Sequence, residues 1–222
     1  LYNQEKGSGE PLILLHGNGE DRTYFENQME FFQSGYRVIA LDTRGHGKSP
    51  RGSAPFTIGQ FARDLRDFMD AQGIEKASLL GFSDGGNIAL TFALDYPDRV
   101  DRLILNGANL DPSGVKPSVQ IPIVLDYCLA TVLARVSPRA GRKAELLGLM
   151  VREPHIRPSA LGHIAAPALV IAGTHDMIRE KHTLLIARSL PNSQLEILPG
   201  DHFIARTNPE GFRRAVEAFL LA

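Results

Sequence analysis

Gly81-Phe82-Ser83-Asp84-Gly85-Gly86 follows the apolar run Ala77-Ser78-Leu79-Leu80 and precedes Asn87-Ile88-Ala89-Leu90-Thr91-Phe92-Ala93-Leu94, a helix-like stretch. Strand, sharp turn and helix form the setting in which Gly-x-Ser-x-Gly presents a nucleophile. The glycines at 81, 85 and 86 let strand and helix backbones approach closely, so the turn can hold Ser83 strained with its hydroxyl exposed. Such a hydroxyl sits at a helix N-terminus, where developing negative charge is stabilised. The five-residue pattern alone is common by chance. Its placement between strand and helix, and the partners supplied further along the chain, give it weight.

On the N-terminal side, residues 1–9 are polar and contain glycine, and Pro11-Leu12-Ile13-Leu14-Leu15 then runs abruptly into His16-Gly17-Asn18-Gly19. That is the pattern of a buried strand entering a tight loop. Tyr24, Phe25, Met29 and Phe32 recur at helical intervals, Gly35 punctuates, and Tyr36-Arg37-Val38-Ile39-Ala40-Leu41 predicts the next strand. Residues 58–71 place Ile58, Phe61, Leu65, Phe68 and Met69 on one face with Arg and Asp on the other, an amphipathic helix that Gly73 ends. Beyond the elbow helix, which stops at Asp95-Tyr96-Pro97, strands are predicted at 102–107, 168–173 and 194–198 and helices near 179–190 and 209–221. This alternation predicts an α/β fold, a mostly parallel central sheet flanked by helices. Residues 110–166 break the rhythm: six prolines punctuate two helices, about 123–135 and 139–151. The segment is read as a small helical cap inserted into a core made of residues 1–109 and 167–222, one structural domain overall.

Several partner classes find no support. A net charge of -1 offers nothing to attract nucleic acid or an anionic membrane, so a small-molecule substrate is expected, with no nucleic acid and no membrane as partner. The single cysteine, Cys128, rules out an intrachain disulfide framework and fits a cytoplasmic location, with the thiol acting as a small apolar side chain. No apolar run approaches a membrane span and no signal-peptide pattern is visible, although a chain opening on Leu1 leaves room for residues upstream. Gly47-Lys48-Ser49 superficially suggests a phosphate-binding loop, but Asp42 stands where its first glycine belongs and no helical run follows Pro50. His155, His163, His175 and His182 form no metal-ligand spacing; no metal and no cofactor are expected.

A neutral serine needs a base, and the base needs a carboxylate that orients it. Asp176 follows the 168–173 strand across Thr174-His175, and His202 follows the 194–198 strand in Pro199-Gly200-Asp201-His202-Phe203. In a parallel sheet both loops emerge at the carboxyl edge, where Ser83 also lies, so the three can converge. The backbone N–H of Asp84 is one candidate oxyanion donor, and that of Asn18, freed by Gly17 and Gly19, the other. Asp201 reads as a turn residue, and His46 and His16 as residues that order their loops.

With these residues in place, the chain resembles the α/β-hydrolase fold superfamily along essentially its whole length: the His16-Gly17 loop, the Asp42 to Ser49 loop, the elbow, the Asp176 turn and the Gly200-Asp201-His202 terminus, in the order Ser, Asp, His. The elbow is similar to that of biphenyl-hydrolase-like serine esterases. That resemblance implies a role for Asp84 as a contact to a substrate amine, since some such enzymes cleave amino-acid esters, and it makes Asp111 an alternative acid. The family's usual first strand, before the segment around Tyr2, is absent from this sequence, and the cap is short. The implied function is a metal-independent serine hydrolase acting on a small carboxylic ester or related acyl compound. Carbon-carbon bond hydrolysis and cofactor-free perhydrolysis are alternatives on the same triad; a ligand-binding protein with little turnover is the rival from another class. Dehalogenase and epoxide-hydrolase chemistry is disfavoured because those relatives carry aspartate where this chain has Ser83.

Overall fold

Along each central strand the side chains alternate between two apolar layers: Ile13, Leu15, Ile39 and Leu41 join one buried cluster, and Leu12, Leu14, Val38 and Ala40 the other. Both faces of such a sheet must be covered, which explains the continuous apolar runs in the sequence. The computed structural model describes residues 1–222. Seven strands, β1 (Asn3–Lys6), β2 (Glu10–Leu15), β3 (Tyr36–Leu41), β4 (Ala77–Phe82), β5 (Val100–Asn106), β6 (Ala168–Gly173) and β7 (Ser193–Leu198), form one sheet in the order β1-β3-β2-β4-β5-β6-β7. Every pairing is parallel except that of β1 with β3. The α/β expectation is therefore met, with one strand more than the pattern predicts. Asn3-Gln4-Glu5-Lys6 carries no apolar face because β1 is a solvated edge, where charge also discourages pairing with other chains.

Helices α1 (Glu26–Phe32), α7 (Ile204–Thr207) and α8 (Pro209–Leu221) cover one face, through Met29, Phe32, Ile204, Phe212, Val216 and Phe219. The other face carries α2 (Ile58–Ala71), α3 (Asp84–Asp95) and α6 (Glu180–Ser189). Each aliphatic or Phe side chain buried this way contributes roughly 1.5–3 kcal/mol relative to exposure. Helix α2 keeps the predicted limits: Thr57 caps its start by accepting from the Gln60 N–H, and Gly73, at φ 65, follows its end.

Between β5 and β6 the chain leaves the sheet for α4 (Pro117–Leu133) and α5 (Pro138–Arg152). Both helices lie where the sequence predicts them, but α4 begins six residues earlier, on Pro117, where a missing N–H has no intrahelical partner to lose, and it carries Pro122 inside it. The excursion closes on itself, since the Ile156 N–H donates to Leu110 O at 2.8 Å. Helix α5 is fastened to the core by Arg51 on Glu145 and by Glu153, which accepts from the Ile58 N–H at the start of α2. Helix α4 packs principally on α5. No helix is long and apolar enough to cross a membrane.

Candidate active site

The elbow between β4 and α3 is built by contact distances that only glycine satisfies. A Cβ on Gly81 would lie 2.3 Å from Gly85 O, and one on Gly85 would lie 2.0 Å from Leu15 O in the neighbouring strand. With the helix drawn onto the sheet this closely, the turn must be sharp, and Ser83 takes φ 53, ψ -119, the one positive φ outside glycine in the chain. Such a conformation persists only where the surroundings over-determine it. Here the Ser83 N–H donates to Asn106 O at 2.8 Å and Ser83 O accepts from the Asn87 N–H at 3.1 Å.

The loops after β6 and β7 bring Asp176 and His202 to the same rim. The Ser83 hydroxyl lies 3.0 Å from His202 Nε2, and His202 Nδ1 lies 2.7 Å from Asp176 Oδ1. With Asp176 ionised, the network assigns the proton to Nδ1, which leaves Nε2 to accept from the serine. Asp176 and His202 are 3% and 5% exposed while Ser83 is partly open, so the imidazole is sheltered and the hydroxyl reachable. Asp176 Oδ1 also accepts from the Ile178 N–H at 2.8 Å, which fixes the carboxylate plane. Asp111 does not enter this chain; its carboxylate accepts from the Ser113 N–H. Asp201 likewise serves its turn, accepting from the Phe203 N–H and Thr207 Oγ1.

Neither the Asn18 nor the Asp84 N–H has a hydrogen-bond partner within the chain, as oxyanion donors require. The loop bearing Asn18 is held from behind: His16 Nδ1 donates to Gly17 O at 2.7 Å, and His16 Nε2 accepts from the Thr43 N–H at 3.1 Å. Burial chiefly, with His46 nearby, drives the His16 pKa down to about 4, so this ring stays neutral. His46 sits against Thr43 and stacks with Phe56. Asp42, fully buried, takes Arg22 Nη1 and the Arg22 and Lys48 N–H groups, anchoring the following loop.

The carboxylate of Asp84 is 7% exposed and engaged on both oxygens, Oδ2 by Asn18 Nδ2 at 3.0 Å and Oδ1 by Asn87 Nδ2 at 3.3 Å. Burial raises its pKa to about 6 despite these donors. Asn18 Nδ2 also donates to Leu146 O of α5 at 2.7 Å, so this one amide links the loop after β2, the elbow and α5. Four further residues that support the site are not singled out by the sequence. Gly107, at φ 63, makes room for the His202 imidazole, because a Cβ there would lie 2.6 Å from its Cε1. Phe82 packs its ring 4.8 Å from the imidazole. Asn87 and Asn109 extend the polar network under Asp84. The Asn106-Gly107 turn is the visible signal for the first; nothing in residue spacing marks the others. No group of three or more His, Cys, Asp or Glu side chains is placed to hold a metal ion.

Comparison with known proteins agrees with this construction. The chain is 31% identical to a putative carbamate hydrolase, RutD, from Caulobacter sp. strain K31, over 99% of this chain and 95% of the relative. It is 28% identical to a 2-hydroxy-6-oxo-6-phenylhexa-2,4-dienoate hydrolase from Burkholderia cepacia, over 99% and 91%. A thermophilic esterase from Thermogutta terrifontis superposes with a TM-score of 0.79 at 25% identity, over 99% of this chain and 92% of that one. A model of one enzyme family, described as the alpha/beta hydrolase fold, matches residues 10–147, and the chain belongs to that family.

Proposed function

We propose that the protein is a serine hydrolase that cleaves a small carboxylic ester or related acyl compound through an acyl-enzyme on Ser83. The observation that carries this reading is the unbroken run of short contacts, 2.7 Å from Asp176 to His202 and 3.0 Å from His202 to Ser83. As Ser83 Oγ attacks the carbonyl carbon, its proton passes to His202 Nε2, and Asp176 stabilises the imidazolium that forms. The carbonyl oxygen becomes an oxyanion between the N–H groups of Asn18 and Asp84. Collapse of the tetrahedral species returns the proton from His202 to the leaving alcohol. Water, deprotonated by the same imidazole, then releases the acid and regenerates the serine.

A fluorophosphonate probe should label the wild type and not Ser83→Ala, and turnover of a short-chain p-nitrophenyl ester should fall roughly 10⁴-fold or more in that variant. Equal labelling of both would refute the nucleophile assignment. Ester turnover above the Ser83→Ala background also separates this reading from a ligand-binding protein. Hydrolysis of a carbon-carbon bond in a ketone substrate is a second reading, favoured by the similarity to the Burkholderia hydrolase. Assaying a dienoate ring-fission ketone beside the esters distinguishes the two. For Asp84 to contact a substrate amine it would have to exchange the Asn18 or Asn87 amide for the ligand. A preference for aminoacyl over plain acyl esters that disappears in Asp84→Ala would support that contact.

A further inference from the structure

Six of the twelve large hydrophobic side chains exposed on this protein fall within sixteen residues on and just after α4: Ile121 (59% exposed), Leu125 (66%), Leu129 (58%), Val132 (62%), Leu133 (44%) and Val136 (83%). They are not scattered. Ile121, Leu125, Cys128 and Val132 follow one another at spacings of four, three and four, the seam with which one helix packs on another. The opposite side of α4 is already occupied by α5, through Asp126 with Lys143 and Tyr127 beneath Arg152. Apolar patches of this extent are rare on monomers. At roughly 170–200 Å² for a fully exposed side chain of these types, the six leave on the order of 700 Å² in water, close to the ~800 Å² that each partner covers in a standard-size complex.

We infer that α4 is the contact face of a homodimer, packed antiparallel on α4 of a second copy about a twofold axis. The residues themselves favour this occupant. The helix carries a single charge between residues 117 and 133, Asp126, and that charge is engaged by Lys143. A helix that lies on an anionic lipid surface needs Lys or Arg on its polar side and aromatic anchors; α4 has no Lys or Arg, and its exposed stripe has no aromatic residue. An isologous contact needs a self-complementary surface, and an uncharged stripe of branched side chains is one. Antiparallel pairing sets Ile121 against Val136 and Leu125 against Val132 of the second copy, and the axis then crosses the helix beside Cys128. The two copies of the chain's single cysteine, which is exposed, meet at the centre of the contact.

The 222-residue chain should sediment at twice its monomer mass, with a dissociation constant in the micromolar range or tighter. Mild oxidation with copper-phenanthroline should give a disulfide-linked dimer on a non-reducing gel, and Cys128→Ser should remain uncrosslinked while still dimeric. The double substitution Leu125→Glu, Val132→Glu should weaken association by roughly a hundredfold or more, with fluorophosphonate labelling of Ser83 retained as the sign that the fold is intact. If that variant does not fold, Leu129→Lys alone should weaken association in the same direction. A monomer at every concentration overturns the inference, as does a dimer indifferent to these substitutions or one whose Cys128 residues do not crosslink. A monomer that binds phosphatidylglycerol vesicles would assign the stripe to a lipid surface and overturn it as well.

Discussion

Replacing Asp84 by asparagine should change how stability depends on pH, and the size of the change follows from the burial of one carboxyl. Asp84 is raised from 3.8 to about 6, first by burial, against the opposing pull of Asn18 and Asn87. That displacement corresponds to roughly 3 kcal/mol, since each tenfold difference in proton affinity is worth about 1.4 kcal/mol. The folded chain holds this proton more tightly than the unfolded chain does. Between about pH 4 and pH 6 the folded state therefore binds more protons, stability falls as pH rises through that window, and it is flat above. His16 works the other way. Lowered from 6.5 to about 4, it stays neutral in the fold while the unfolded imidazole takes a proton, so its contribution rises with pH over nearly the same interval. The two slopes largely offset one another in the wild type. Asp84→Asn removes the first and leaves the second. Urea unfolding of both proteins from about pH 4.5 to about pH 7.5 should show the variant gaining on the wild type by about 2 kcal/mol, while every unaltered group cancels in the difference. A constant penalty of about 1–3 kcal/mol is superimposed, because the introduced amide must turn an N–H group toward Asn18 or Asn87. A difference that does not move with pH would refute the reasoning.

Asp176→Asn should lower kcat by roughly 10³–10⁴ with KM within a few fold, because the amide cannot hold the Nδ1–H tautomer of His202; steady-state kinetics on a p-nitrophenyl ester checks this, and a loss carried mainly by KM would count against it. Gly85→Ala places a Cβ 2.0 Å from Leu15 O and 2.7 Å from His16 O, backbone atoms that cannot yield. It should cost more than about 4 kcal/mol in urea or prevent soluble expression, and stability within about 1 kcal/mol of wild type would contradict the close approach. Arg51→Ala breaks a pair with Glu145 whose side chains are 33% and 37% exposed. Solvent screening holds its contribution to under about 1 kcal/mol, and added salt should shrink the difference between variant and wild type.

Much of this molecule is legible in its residues because burial on both faces of a parallel sheet leaves uninterrupted apolar runs. β3 and α2 lie within the limits the pattern predicts, and Ser83, Asp176 and His202 could be brought together because parallel strands deliver their loops to one edge. β1 escapes because an edge strand needs no apolar side; its polar residues look like those of a loop. The start of α4 escapes for a different reason. Pro117 and Pro122 read as breaks, yet Pro117 is the first helical residue, where a missing N–H costs little, and the helix runs on through Pro122 at the loss of one intrahelical bond. The site's support is harder still: that Asn87 steadies Asp84, or that Gly107 leaves space for an imidazole ninety-five positions away, depends on side chains converging from different layers, and no local periodicity encodes it.

The stem at Leu110 and Ile156 bears on how such a scaffold acquires new specificities. The outgoing and returning stretches of chain are hydrogen-bonded to each other where they leave the core, and between them α5 is tied down separately at Glu145, Leu146 and Glu153. Residues between those ties can change while the pairing of β5 with β6 is untouched, so variation can accumulate in α4 and its flanking turns without unfolding the sheet. A library randomised at the exposed positions between residues 117 and 152, with Ala130, Glu145 and Leu149 kept, should therefore yield a high proportion of folded members, many still labelled by a fluorophosphonate, from which altered substrate ranges can be selected.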